Sequence, residues 1–76
     1  MVGDAVLQAL ARLNVDPDFQ KFLDEVKRFR DEARERLETA TDPWLAGRAQ
    51  GAAVLATDLI NLAQGARASL AKRQGR

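Results

Sequence analysis

Two Asp-Pro dipeptides, Asp16-Pro17 and Asp42-Pro43, constrain this chain more than any other feature. Proline breaks a helix from inside, but at the first helical position its missing N–H costs nothing. An aspartate just before it accepts hydrogen bonds from the orphan N–H groups of the new helix. Each dipeptide therefore opens one helix and closes whatever precedes it. The chain divides into helices of about 3–13, 17–40 and 43–73 within a single domain, 1–76. Only Thr41 and Asp42 separate the two long segments, so they must fold back on each other. The expected fold is all-α, a short N-terminal helix followed by an antiparallel two-helix hairpin.

Hydrophobic spacing supports three different helices. Val6, Leu7, Leu10 and Leu13 recur at helical intervals, and Asn14, which tolerates the left-handed conformation, marks the stop. In the second segment Phe19, Phe22, Leu23, Val26, Phe29, Ala33, Leu37 and Ala40 form one narrow stripe. Its other faces carry mixed charge, with Lys21–Glu25, Asp24–Arg28 and Glu32–Arg36 at i, i+4 spacing, each contributing about 0.2–0.5 kcal/mol. The third segment has two adjoining stripes. Trp44, Leu55, Leu59, Leu62, Ala66 and Leu70 make one, while Leu45, Ala49, Ala53, Ala56, Ile60 and Ala63 make the other. A helix packed on one neighbour needs an apolar arc of about 100°, so the wider arc calls for at least two neighbours.

Gly47, Gly51 and Gly65 lie within that third segment. Glycine inside a helix costs about 1 kcal/mol relative to alanine, which close backbone packing would offset; the competing reading is a looser helix, kinked or interrupted near Gly47 to Gly51, with Gly65 marking fraying toward the C-terminus. Gly47 and Gly51 also form the G-x-x-x-G spacing of membrane helix pairs. Arg48, Gln50, Asp58, Asn61 and Gln64 argue against a bilayer span. The N-terminal Met1-Val2-Gly3-Asp4 has an acid where a secretory signal carries a base, and no long apolar run follows, so a cytoplasmic location is expected.

A domain of 76 residues seldom builds a core worth more than about 3–5 kcal/mol without help. Cysteine and histidine are absent, which removes disulfides and leaves only carboxylates for a metal, with no calcium-loop motif to arrange them. Self-association remains, as a homodimer or a larger oligomer. Phe22, Val26, Phe29, Leu55, Leu59 and Leu62 are the residues expected at that interface. No cofactor is implied.

Catalysis is not expected. There is no His, Cys or Tyr, Ser69 is the only serine, and Thr39, Thr41 and Thr57 have no neighbouring base. No phosphate-binding loop occurs. Trp44, Arg48, Ile60 and Arg30 are the candidates for contact with a protein partner. Tryptophan is a frequent hot-spot residue, and the two arginines sit within apolar stripes, where a guanidinium fork can take a carboxylate or phosphate. Charge is uneven: residues 1–42 hold ten acids and seven bases, net −3, whereas 43–76 hold one acid and five bases, net +4. Arg67, Lys72, Arg73 and Arg76 could touch nucleic acid through phosphates, although cations also complement the negative end of a helix dipole.

The elements Asp16-Pro17-Asp18-Phe19-Gln20-Lys21-Phe22-Leu23 and Gly47-Arg48-Ala49-Gln50-Gly51 resemble small helical proteins of tailed bacteriophages, mostly uncharacterised, over residues 7 to 66. In those, a D-P-D-F-x-x-x-L start and a G-R-x-Q segment recur. The resemblance implies a phage-encoded protein active in the host cytoplasm or in the virion, assisting particle assembly or disarming a host protein. It implies no catalytic or binding residues. The resulting expectation is a non-enzymatic interaction protein that homo-oligomerises and binds a protein stoichiometrically. A nucleic-acid-binding bundle using the basic C-terminal end is the alternative.

Overall fold

The computed structural model describes residues 2–75, leaving aside the side chain of Gln74, and every regular element among them is a helix. α1 spans Asp4–Leu13, α2 Pro17–Thr39, α3 Pro43–Gln64 and α4 Ala66–Gln74. At both Asp-Pro starts the proline stands in the first turn. Asp16 accepts from the Asp18 N–H and Asp42 from the Trp44 N–H, each at 2.8 Å.

α3 runs back along α2. Phe22 and Val26 lie beside Leu59 and Leu55, whereas Arg36 and Ala40 lie beside Arg48 and Leu45, so rising numbers on α2 meet falling numbers on α3. The contact between them is built largely on small residues. Ala33 on α2 and Ala49, Ala53 and Ala56 on α3 are buried, together with Leu23 and Ile60. Alanine lets two helical backbones approach closely, and a phenylalanine ring does not fit such a seam. Phe22 and Phe29, at the edge of the α2 stripe, are consequently left on its rim, 60% and 48% exposed.

The segment expected to run unbroken over 43–73 is two helices. Gly65, at φ −89° and ψ 0°, departs from helical geometry between α3 and α4. Its N–H still bonds the Asn61 carbonyl at 2.8 Å, and its own carbonyl receives the Ser69 N–H, so two backbone hydrogen bonds hold the bend. The bend lays α4 against α1, which also packs on α3. Asp4 at the start of α1 pairs with Arg73 near the end of α4, and Asn14 at the other end of α1 donates to the Ala63 carbonyl at 2.6 Å.

Asn14 also departs from expectation. It is right-handed, at φ −62° and ψ −17°, and no described residue has a positive φ. Its value at the helix stop lies in its side chain, which satisfies an α3 carbonyl, while Gln20 Nε2 donates to the Asn14 carbonyl at 2.8 Å. Two of the three expected i, i+4 ion pairs give way to i, i+3 pairs, and Glu32–Arg36 is not among the ion pairs of the described residues. Lys21 pairs with Asp18 and Arg28 with Glu25, because long helical side chains lean toward the N-terminus and reach an acid three residues back.

Principal extents of 48 × 28 × 14 Å describe a slab one helix layer thick. The Cα radius of gyration is 15.1 Å, against about 11 Å for a compact domain of this length. Stable domains ordinarily stack two layers around their core. This chain supplies one.

Candidate interaction surface

One face of the α2/α3 pair carries half of the exposed large apolar side chains among the described residues. Phe22, Val26 and Phe29 from α2 and Leu55 and Leu59 from α3 line an open groove of about 230 Å³, with Ala56 as its floor. Leu55 and Leu59 are 61% and 49% exposed. Helical spacing puts them there, since 22, 26 and 29 on one helix and 55 and 59 on the other share the same side of the seam. Five of the six residues expected at an oligomer interface are thus brought together in this groove. The sixth, Leu62, is half-buried and lies outside it.

The groove continues toward the bend between α2 and α3. Phe29 is shared with a second hollow of about 560 Å³, bounded by Arg36 and Ala40 on α2 and by Leu45, Arg48 and Ala52 on α3. Glu25 lies on the wall of the first hollow, whereas Arg36 and Arg48 line the second. The face is therefore apolar along its length, acidic toward Phe22 and basic toward the bend. Glu25 hydrogen-bonds the exposed Arg28 side chain. That bond, with the charge of the same carboxylate, raises the Arg28 pKa above its ordinary value.

The residues expected at a partner contact scatter. Trp44 is 67% exposed, and the Arg48 guanidinium stands 5.7 Å from its ring centroid in cation–π contact. Arg30 is half-buried and hydrogen-bonds the adjacent Asp31 at 3.1 Å. Ile60 is 4% exposed, so its expected role as a contact is withdrawn. It belongs to the alanine stripe, and that stripe, rather than the leucine stripe, is the one α3 turns inward.

On α4, Arg67 and Lys72 are exposed and Arg73 is engaged by Asp4. Arg76 lies outside the described residues. Gly47 and Gly51 have open space where a Cβ would stand, so within this chain they serve no close backbone approach. Among the described residues no three acidic side chains gather where they could hold a metal ion, and no helix is long and apolar enough to cross a membrane.

Sequence reasoning passed over Glu25 and Arg36 as site residues. The signal was present, because they follow Phe22 and Phe29 by one and two helical turns on the same projection. Among known proteins, no family model, curated protein or solved structure matches this chain.

Proposed function

We propose that this protein is a non-enzymatic helical interaction module that self-associates through the apolar face of its α2/α3 hairpin, closing a helical bundle, and binds another protein stoichiometrically. The observation that carries the reading is a one-layer molecule with an apolar face left open. A compact monomer of 8.4 kDa exposes about 4,600 Å², whereas this chain exposes 5694 Å². The excess of roughly 1,100 Å² is comparable with the roughly 800 Å² that each partner buries in an ordinary protein interface. Phe22, Phe29, Leu55 and Leu59 are the side chains that gain most from such cover.

Light scattering at tens of micromolar tests this reading, which requires a mass of at least two chains. Leu59→Asp places a charge in the groove without touching the alanine seam, so the variant should keep its helical circular dichroism and fall to a lower mass. A variant that stays helical at unchanged mass would remove the face from the interface.

Resemblance to small phage proteins motivates the second half of the proposal, a stoichiometric role in particle assembly or in blocking a host factor. Trp44, exposed beside the bend, is the side chain best placed for that contact. Capture of one host or phage protein at a 1:1 chain ratio by wild type, and its loss with a folded Trp44→Ala variant, is the expected result.

A further inference from the structure

The charge order along the open face decides how a second copy would sit on it. α2 and α3 are in antiparallel register, so that Arg36 lies level with Arg48, Phe29 with Leu55 and Glu25 with Leu59. Glu25 and Arg36 are eleven residues apart, or about 16 Å along the helix. A two-fold axis lying in the plane of the face, at right angles to both helices and midway between Glu25 and Arg36, passes near Phe29, Ala52 and Leu55. Rotation about it carries the Glu25 level of one copy onto the Arg36 and Arg48 level of the other. It also sets α2 on the partner's α2, with Phe22 over the partner's Ala40, apolar on apolar.

A parallel docking has the opposite consequence. Arg36 would face the partner's Arg48, and Arg48 the partner's Arg36, gathering four guanidiniums on one desolvated surface, an arrangement that like-charge repulsion disfavours. We infer that two copies associate face to face and antiparallel, with Glu25 of each copy inserted between Arg36 and Arg48 of the other. Neither arginine makes an ion pair within its own chain among the described residues. Glu25 is engaged by Arg28, but an ionised carboxylate accepts several hydrogen bonds and has room for the incoming guanidiniums. Because the face is isologous, each dimer contains this charge cluster twice.

This inference rests on the self-association proposed above, and its test separates the two. The natural chain has no cysteine, so single introduced thiols report distance without background. Ala52→Cys, near the axis, should form a disulfide-linked dimer with itself under mild oxidation. Phe22→Cys and Ala40→Cys should each fail to cross-link alone and should cross-link to each other when mixed. Cross-linking of Phe22→Cys with Leu59→Cys, and not with Ala40→Cys, would establish the parallel docking and overturn the inference while leaving self-association standing. Glu25→Arg should raise the dissociation constant of the dimer about tenfold or more. An Arg36→Glu/Arg48→Glu chain should be similarly weakened, and an equimolar mixture of the two should recover wild-type mass. A wild-type dimer unaffected by Glu25→Arg would overturn the charge assignment alone. Wild type with the mass of one chain would remove the self-association reading and this inference with it. Circular dichroism of each variant separates dissociation from unfolding.

Discussion

Asn14 is the side chain on which the junction of three helices depends. It closes α1, its amide satisfies the Ala63 carbonyl just before the bend at Gly65, and its own carbonyl is held by Gln20 at the start of α2. A carbonyl so placed loses its donor when Asn14 is truncated, and an unsatisfied, partly buried acceptor costs about 1–3 kcal/mol. Asn14→Ala should lower the urea midpoint by an amount in that range. Gln20→Ala, which frees a carbonyl at the chain turn where water has access, should lower it less. Periodicity correctly ended a helix at Asn14 but for another reason, because a left-handed backbone is a local property and a bond across 49 residues is not.

Helix starts were legible at the level of elements, and the C-terminal break was not. Asp16 and Asp42 cap their helices through atoms two residues away, so sequence neighbours carry all the information needed. Gly65 bends the chain because α4 has somewhere to go, against α1, and that destination is tertiary. A Cβ on Gly65 would approach the Asn61 carbonyl oxygen to 2.8 Å, and backbone cannot yield cheaply. Gly65→Ala should therefore displace α4 from α1, seen as faster amide exchange at Leu7 and a lower melting temperature. Gly51 predicts the opposite sign. With open space around it, Gly51→Ala should raise helix stability by up to about 1 kcal/mol, measured by thermal unfolding. A loss of stability there would reveal a close neighbour supplied by another chain.

For the whole molecule, the governing fact is thickness. A slab of 14 Å has its helices side by side and no second layer beneath them, so its stability is expected to draw on association. Mass action then makes the melting temperature rise with protein concentration. A series from about 1 to 100 μM, followed by circular dichroism, should show a steady increase of several degrees. A melting temperature independent of concentration would mean that one layer folds without help.

The sequence by itself determined that the chain is helical, where its first three helices begin, and that the third segment has more apolar surface than one neighbour can cover. Those properties depend on proline geometry, aspartate capping and residue spacing, all of them local. Only the tertiary structure decided which of the two α3 stripes turns inward. Hydrophobicity favours the leucine stripe, yet the alanine stripe is buried because small side chains allow α2 and α3 to approach closely. The leucines and phenylalanines are thereby displaced to an outer face, where Glu25, Arg36 and Arg48 join them in an order that no single helix displays.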